Sequence, residues 1–475
     1  MRSPPQDRLP ALTLIWFSLP CVLQSLLFVP VMAVFPTIYE KYYAVNFAAI
    51  GIAMTLSRSL DSVVDPIVAY LSDRTRSVLG ARKPWLLFGA VLAVIGIYKL
   101  FLPTGKPDAV YFLIWSTVVY FAWSIMQVPH DAWATEMSGE YDERSRIFTF
   151  KGTAGQIGSF AFLGSPLILV AWFGFDSTEM TPAVMHAIGS VSLVLLPAAI
   201  IAAVVMVPQT RRINSADIDF KATMRVVASN APYRLFLLIF GIQGLALGIY
   251  AALLLPFIEG FLRIGDQFSL IMVVTAFFGL VSMPAWLWAA KKFGKHMAWA
   301  AGSALTNVVL LGWLFVPAGA GALVPTLVIS AFYGFFSSCA AVCYPSILGD
   351  INDYGLLKSR ANRPGTYFAG VMLLVKLTSA VGGGLALALV GWFGFSTQAD
   401  AVMTQWTRIG VLAVFIGLHT VLQLIAVVLI LRFPLDQRRH AIIRRRLDRL
   451  AIASDAPQPS VAAAAPIEVA RSEAP

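Results

Sequence analysis

The chain has 475 residues, of which 58% are hydrophobic and 13% are charged, and its formal net charge is +10. A soluble protein carries charge at roughly a quarter of its positions, so this composition excludes a soluble globular protein and indicates one whose outer surface faces lipid. The positive charge would suit nucleic acid, but the basic residues are distributed as a membrane topology requires, and no nucleic-acid partner is predicted.

Apolar segments long enough to cross a bilayer, which takes roughly 20 helical residues, recur along the whole chain. We predict spans near 11–38, 44–71, 84–103, 109–135, 147–173, 182–207, 233–258, 267–290, 297–316, 322–349, 365–394 and 407–432. Helix is the predicted structure because unpaired backbone groups are costly in lipid, and no sustained polar–apolar alternation indicates a barrel. The predicted fold class is an all-α membrane protein with twelve transmembrane helices in two six-helix bundles.

Lysines and arginines indicate the orientation. With the N-terminus in the cytoplasm, all but seven of the 35 lie at cytoplasmic ends of spans, in cytoplasmic connections or in the tail. The exceptions are Lys41, Lys99, Lys106, Arg263 and Arg408 near the other face, and Arg58 and Lys376 inside spans. The positive-inside rule therefore predicts a multi-pass cell-membrane protein with both termini cytoplasmic. Without a long extracytoplasmic domain or a targeting peptide, a bacterial inner membrane is favoured.

A longer polar connection divides the spans six and six. The predicted organisation is an N-terminal bundle at 1–207, a central cytoplasmic loop at 208–232, a C-terminal bundle at 233–434 and a tail at 435–475 that is basic and then disordered. An amphipathic stretch at 220–227 is predicted to lie on the membrane surface. The basic run at 438–449 either binds anionic membrane lipid or only anchors the topology. Two related halves around a central cavity are typical of transporters.

Four ionisable residues lie clearly inside the predicted spans. Each is a functional candidate, because a charge at the centre of a bilayer costs roughly 2.5–3.5 kcal/mol on insertion scales. Arg58, Asp61 and Asp65 share one face of the second span, being three and four residues apart, and Lys376 lies in the eleventh. Paired carboxylates favour uptake of a proton by one of them or a cation bound between them. The alternatives are a structural ion-pair network and, for Lys376, a side chain that only reaches the membrane surface.

Polar residues also cluster at the end of the fourth span. Ser124 and Gln127 offer oxygen ligands to a cation, and His130 and Asp131 add titratable groups. His130 is a candidate for proton relay, although a hydrogen-bonded structural histidine is the competing interpretation. No nucleophile elbow, phosphate-binding loop or metalloprotease histidine pair is found, so we predict neither an enzyme nor a cofactor, and no metal other than Na⁺.

The charged motifs resemble those of the glycoside–pentoside–hexuronide:cation symporters, the melibiose-carrier branch of the major facilitator superfamily. The resemblance is carried by Arg58-x-x-Asp61-x-x-x-Asp65-Pro66, by Asp73-Arg74-Thr75-Arg76 and Arg82-Lys83-Pro84-Trp85, by Glu136 and Glu143-Arg144-Ser145-Arg146, by Gly349-Asp350-Ile351-Asn352-Asp353-Tyr354-Gly355, and by Lys376. These motifs cover both halves in the family's order and imply the major facilitator fold.

The resemblance also implies roles for individual residues. Asp61 and Asp65 match the family's cation-site aspartates, Arg58 the arginine beside them, and Lys376 the lysine linking the cation and sugar sites. Trp123, Ser124 and Lys151 match residues of the fourth and fifth spans that line the family's site. Asp131, Lys151 and Lys376 are therefore expected to contact substrate together with Trp123 and Gln127.

The sequence departs from the melibiose carrier at several pocket positions. Gln127 stands where that carrier has a third acidic residue, which weakens sodium coupling and favours a proton. Asp131 replaces a sugar-contacting tryptophan, and the sugar-binding aspartate of the first span aligns near Gln24 and Ser25. Ala341 and Met372 replace polar or aromatic positions. The pocket is therefore different from the melibiose pocket.

These observations predict a secondary active transporter that couples a cation, H⁺ rather than Na⁺, to symport of a sugar, glycoside or sugar acid. Carriage of a non-sugar organic acid or amphiphile, or a non-transporting membrane sensor on the same scaffold, are the alternatives. Charged residues at the cytoplasmic ends are expected to form a gate: Asp73, Arg74, Arg76, Glu136, Arg144, Lys291, Asp350 and Asp353. A small-molecule substrate and membrane lipid are the predicted partners, without an obligate protein partner.

Overall fold

The computed structural model describes residues 8–138, 141–208, 229–359, 364–398, 400–435, 439–440, 442–443 and 445–447, with the backbone alone at 141, 142, 144, 145, 359, 364 and 365. Its α-helices are α1 Ala11–Ala33, α2 Phe35–Tyr43, α3 Phe47–Arg74, α4 Lys83–Phe101, α5 Ala109–Glu136, α6 Tyr141–Phe173, α7 Pro182–Met206, α8 Ala231–Pro256, α9 Phe268–Phe293, α10 Lys295–Leu311, α11 Leu323–Ser337, α12 Cys339–Ser359, α13 Pro364–Trp392, α14 Gln405–Leu412 and α15 His419–Leu431. The predicted surface stretch at 220–227 and most of the tail lie outside these residues.

Twelve helical stretches of the described chain are long and apolar enough to cross a membrane, which confirms the predicted all-α fold. Two spans predicted as one continuous helix are interrupted by a residue outside any helix, and the twelfth passes through a π-helical stretch at Ala413–Leu418. The first breaks at Val34, because Pro36 at the start of α2 has no N–H to continue the ladder. The tenth breaks at Ser338, whose hydroxyl donates to the Phe335 carbonyl at 2.9 Å, a side-chain bond that bends helices.

The helices pack as two groups. In the first, α1 packs on α6 and α7, and α5 packs on α3 and α4. In the second, α8 packs on α13 and α15, α9 on α11, and α10 on α11, α12 and α15. The limits predicted for the two bundles and their connecting loop stay a prediction, since residues 209–228 are not described.

The two groups meet chiefly along α3 and α13. Glycines allow this close crossing, as small residues commonly do between membrane helices. A Cβ atom added to Gly384 would lie 1.8 Å from the Thr55 hydroxyl and 2.5 Å from the Gly51 carbonyl oxygen. The contact therefore depends on the absence of side chains at this point and sets how α13 presents its polar residues to α3.

Each bundle has two ends, which differ in charge and in contact between the groups. The end that carries the described residues 75–82, 137–138 and 294 between helices is here named the basic face, and the other end the opposite face. At the opposite face, Phe47 of α3 stacks on Phe395 beyond α13, with ring centroids 5.8 Å apart. Both rings are buried, so the two groups are closed against each other at that end.

Candidate transport site

The four intramembrane charges come together where α3 meets α13. The Lys376 ammonium lies 2.6 Å from Asp61 Oδ2 and 2.7 Å from Asp65 Oδ2, so it bridges the two carboxylates. Ser124 of α5 donates to Asp61 Oδ1 at 2.5 Å and accepts from Lys376 at 3.2 Å. This ion cluster (Asp61, Asp65, Ser124 and Lys376) thus joins the two halves of the protein through a single ammonium group.

Arg58 lies one turn before Asp61 and is 3% exposed. Its guanidinium faces two aromatic rings, with the carbon 4.9 Å from the centroid of Tyr120 and 5.3 Å from that of Phe28. Its Nε and one terminal nitrogen have no hydrogen-bond partner, so the rings supply part of its stabilisation through cation–π attraction. With Arg58 included, two cations and two carboxylates cancel in formal charge.

A polar wall of the N-terminal half borders a cavity of about 320 Å³. Among its lining residues are Gln24, Trp123, Gln127, Asp131 and Lys151. Gln127 donates to Asp131 at 3.0 Å, and Lys151 forms an ion pair with Asp131. The structure therefore places Gln127 among the residues predicted to contact substrate. Its described hydrogen bond goes to Asp131 and not to Asp61 or Asp65.

Gln24 is the most conspicuous residue of this wall. It is 2% exposed, yet neither its amide nitrogen nor its amide oxygen has a hydrogen-bond partner. A buried amide left unpaired is costly. Gln24 therefore keeps an unpaired amide, with two N–H donors and one acceptor oxygen, at the edge of the cavity.

His130 lies behind this wall and is fully buried. Its Nε2 is 2.9 Å from the Phe17 carbonyl oxygen, and its Nδ1 is 3.6 Å from the Cys21 sulfur. The ring also packs on Phe17, with centroids 4.3 Å apart. Both ring nitrogens are occupied by groups of α1, an arrangement that holds α1 against α5.

At the basic face, the ion pairs among residues predicted to form a gate join elements of the same half. Arg82 bridges Asp73 and Glu136 at 2.6 Å to each, and Lys295 lies 2.7 Å from Asp350. Burial alone would lower the pKa of Arg82, but its hydrogen bonds to Glu136 and Asp73 outweigh burial and raise it.

The other predicted gate residues are less directly engaged. Arg74 lies over the Tyr70 ring at 3.7 Å, and Arg76 and Lys291 are exposed. Asp353 contacts His440 at 3.1 Å. The side chain of Arg144 lies outside the described residues. The structure thus places these residues on one face without bringing all of them into one cluster.

A second charged network closes the opposite face and was not predicted. Glu40 of α2, 3% exposed, accepts hydrogen bonds from the Ser396 hydroxyl at 2.5 Å and from the Thr397 backbone N–H at 2.9 Å, both in the other half. Lys41 forms ion pairs with Glu179 of its own half and with Glu259 of the other half. We refer to Glu40, Lys41, Glu179, Glu259 and Thr397 as the clamp.

The pKa of Lys41 reflects this environment. Burial would lower it, but hydrogen bonds to Glu179 and Glu259 outweigh burial and raise the pKa above that of an ordinary lysine. The clamp was missed because Glu40 and Lys41 look like residues at the edge of a span. Glu259, flanked by apolar residues in Pro-Phe-Ile-Glu-Gly-Phe, was the available signal.

Two helical groups joined by an ion cluster, with a polar cavity in one group and closure at one end, define a multi-pass membrane transporter. A family model described as "MFS/sugar transport protein" matches residues 17–437. The chain therefore belongs to this family of the major facilitator superfamily, which confirms the resemblance seen in its motifs. The members of this family are transporters rather than enzymes.

Individual relatives are distant. The isoprimeverose transporter of Lactiplantibacillus pentosus is 23% identical over 382 residues, covering 76% of each chain. The human sodium-dependent lysophosphatidylcholine symporter 1 is 23% identical over 453 residues, covering 87% of this chain and 81% of the relative. Among solved structures, the nucleoside transporter NupG superposes with a TM-score of 0.66 at 12% identity, covering 88% of this chain and 98% of the other, which shows the shared fold.

Proposed function

We propose that this protein is a secondary active symporter that moves a sugar, glycoside or sugar acid together with one cation by alternating access. It operates in a bacterial inner membrane with both termini in the cytoplasm, as the distribution of basic residues indicates. In that orientation the clamp closes the periplasmic side, and the polar wall is reached from the cytoplasm. The family and the name of the Lactiplantibacillus relative support a sugar-type solute.

The observation that carries the proposal is the position of the Lys376 ammonium between Asp61 and Asp65. Together with Arg58 the cluster is neutral when it holds no coupling ion, so a bound cation competes directly with the lysine for the carboxylates. Lys376 belongs to one half and the aspartates to the other. Cation binding therefore weakens a contact between the halves and frees the ammonium for substrate, which links ion occupancy to rocking of the bundles.

The ligand geometry favours H⁺ over Na⁺. A sodium ion needs several oxygen ligands, whereas the side chains at the cluster that offer oxygen are Asp61, Asp65 and Ser124. A proton needs a single carboxylate oxygen, and Asp65 Oδ1 is buried without a hydrogen-bond partner. We assign this oxygen as the acceptor of the coupling proton, with Arg58 and Lys376 balancing charge as the proton leaves.

The polar wall suits a hydroxylated solute. Trp123 and Phe148 supply aromatic faces, and Gln24 supplies an unpaired donor and acceptor. Aromatic surface with a few placed polar groups is the usual make-up of a small-molecule site. The Asp131–Lys151 pair adds a negative and a positive charge at this wall. Asp131 can accept hydrogen bonds from the hydroxyl groups of a sugar, and Lys151 can bind the carboxylate of a sugar acid.

Carriage of an amphiphile with Na⁺ is the second candidate. It is favoured by the human relative, whose name specifies sodium dependence and lysophosphatidylcholine and whose match extends over 87% of this chain. Asp61, Asp65 and Lys376 would serve a sodium ion in the same place, so the cluster alone does not separate the two candidates. The solute and ion must be separated by experiment.

The test is uptake by purified protein in proteoliposomes. Free sugars, glycosides, sugar acids and lysophospholipids are presented under an imposed pH or sodium gradient, and the wild type is compared with Asp65→Asn. Asp108→Asn is the matched control, because Asp108 caps α5 at the membrane surface and asparagine caps equally well. Sugar uptake driven by the pH gradient and lost only in Asp65→Asn supports the proposal. Sodium-driven uptake of the lipid alone, or sugar uptake indifferent to Asp65, overturns it.

A further inference from the structure

An aromatic contact links the polar wall to Arg58. Trp123 lines the cavity at this wall, and its ring packs on Phe28 of α1 with centroids 4.5 Å apart. Phe28 also contacts Arg58, whose guanidinium carbon lies 5.3 Å from the Phe28 centroid. Phe28 is not among the described residues that line the cavity. It therefore lies between a residue of the proposed solute site and a buried cation, without lining that site itself.

Arg58 is held by aromatic rings and not by carboxylates. Its guanidinium faces two rings, and Nε and one terminal nitrogen have no hydrogen-bond partner. The neighbouring carboxylates of Asp61 and Asp65 are engaged by Lys376 instead. Guanidinium–carboxylate bonds are among the strongest hydrogen bonds in proteins. Arg58 therefore has a strong interaction available that it does not make in this structure.

Asp61 lies within reach of Arg58. The two residues are three positions apart on α3, so their side chains leave the same face with Cβ atoms about 5–6 Å apart. The long arginine side chain can therefore turn from the rings to Asp61 without a movement of the helix. Lys376 opposes this turn by occupying the carboxylate. Cation–π attraction also opposes it, since this attraction is strongest for a desolvated cation and Arg58 is 3% exposed.

We propose that Phe28 is a positioning residue that couples solute occupancy to ion occupancy through Arg58. Solute packed on Trp123 holds the Phe28 ring in place, and the ring keeps the guanidinium away from Asp61 while Lys376 is engaged by the solute. The carboxylates are then open to the coupling ion. When the solute leaves, the ring is released, and Arg58 turns to Asp61 and displaces the ion, because both cations need the same oxygens. This inference rests on the proposed coupled symport, whatever solute is carried.

The test measures how strongly the two binding events are linked in purified protein in lipid nanodiscs. Calorimetric titrations give the Kd of methyl β-galactoside, methyl β-xyloside, glucuronate and lysophosphatidylcholine in acidic and alkaline buffers, each with and without Na⁺. The coupling factor for each ion is the Kd without the ion divided by the Kd with it. We expect a factor of about tenfold in the wild type, within the usual range for linked sites. Phe28→Leu, which has no ring to hold the guanidinium, should reduce it to about twofold.

Control variants separate coupling from packing. Phe28→Tyr keeps the ring and should keep the wild-type coupling factor. Phe28→Leu should leave the Kd measured without the ion at the wild-type value, because Phe28 does not line the cavity. Phe148→Leu is the matched control, since Phe148 lines the cavity whereas Arg58 faces Phe28 and Tyr120. It should weaken solute binding equally with and without the ion and leave the coupling factor unchanged.

The outcomes distinguish this inference from the function on which it rests. A wild-type coupling factor in Phe28→Leu overturns the positioning role and leaves symport intact. An additive loss when Phe28→Leu is combined with Arg58→Gln also overturns it, because the ring must act through the guanidinium. If lysophosphatidylcholine alone binds and its coupling depends on Phe28, the positioning role stands and the sugar proposal fails. If no probe binds, or if wild-type binding is independent of both ions, coupled symport fails and the positioning role fails with it.

Discussion

At the scale of single residues, the ion cluster is the most constrained part of the molecule. Asp61 is 1% exposed and is held by both Ser124 and Lys376, whereas Asp65 is 24% exposed and keeps one oxygen unpaired. The two carboxylates therefore differ in role. Asp61 is the structural anchor of the ammonium, and Asp65 is the more accessible partner for an incoming ion.

Removing the ammonium should leave two carboxylates without their counter-charge. We predict that Lys376→Ala destabilises the protein by about 3–5 kcal/mol, the usual cost of breaking a buried ion pair from one side. Adding Asp61→Asn should restore a large part of the loss, because the remaining carboxylate no longer faces a second one. The measurement is thermal unfolding in detergent of the two single variants and the double variant. Additive losses in the double variant would contradict the pairing.

At the scale of elements, the geometry depends on how closely α3 and α13 approach. Gly51 and Gly384 bring the two backbones together, and the same two helices carry Asp61, Asp65 and Lys376. The distances of the polar contacts between α3 and α13 therefore depend on a packing contact between two glycines.

A methyl group at the crossing should separate the halves. We predict that Gly384→Ala favours the state open at the opposite face, because its Cβ would overlap the Thr55 hydroxyl. The reporter is Ala48→Cys, near Gly391 at the same seam, in a background with Cys21, Cys339 and Cys343 replaced by alanine. Labelling by a membrane-impermeant maleimide should become at least tenfold faster.

Gly164→Ala is the control for this substitution. An added Cβ at Gly164 has nothing within 4 Å, so the labelling rate of Ala48→Cys should stay that of the parent. Unchanged labelling in Gly384→Ala as well would show that the crossing tolerates a methyl group and that the seam does not govern closure.

At the scale of the whole molecule, the two faces are in different states. The clamp ties the halves together at the opposite face, while the ion pairs described at the basic face stay within one half. At the polar wall, 44% of the Asp131 side chain is exposed. This arrangement fits the proposed alternating access, in which the clamp is the contact that must break when the other side opens.

We predict that Lys41→Met shifts the protein toward the state open at the opposite face by about 10- to 100-fold. The substitution removes the cation between the Glu179 and Glu259 carboxylates. The free energy of closure that is lost lies between the value of an exposed ion pair and that of a buried one. Impermeant labelling of Ala48→Cys measures the shift. In Lys41→Arg, which keeps the charge, Ala48→Cys should be labelled at the parental rate. Equal labelling rates in Lys41→Met and Lys41→Arg would show that the clamp does not control closure.

The raised pKa of Lys41 gives the clamp a defined pH range. Because the pKa is raised in the folded state, the contribution of the lysine to closure is fully present below the ordinary lysine pKa and is lost only as pH rises through the higher value. Because the thiolate is the reactive form and its fraction rises with pH, the labelling rate of Ala48→Cys is divided by that of the exposed Val402→Cys at the same pH. We expect this ratio to stay constant from neutral pH up to the ordinary lysine pKa. A marked increase in the ratio between pH 7 and 9 would show that Lys41 is not held as described.

The orientation of the molecule can be tested directly. Val78 and Val402 are 93% and 80% exposed and lie on the basic and opposite faces. In intact cells we expect an impermeant maleimide to label Val402→Cys, and to label Val78→Cys only after the membrane is opened. The reverse pattern would mean that the basic face is outside, contrary to the positive-inside rule.

The sequence by itself determined the membrane class and the twelve spans, and it singled out Asp61, Asp65 and Lys376 as functional candidates, because length, hydropathy and the cost of charge in lipid act locally along the chain. It also identified the family, since the charged motifs are contiguous. Only the tertiary structure decided that Lys376 lies between two aspartates more than 300 residues away, that Gln127 turns to Asp131, and that Glu40 and Lys41 clamp the opposite face. These pairings depend on the rotation and spacing of helices from separate halves, which hydrophobic periodicity in uniformly apolar spans does not encode.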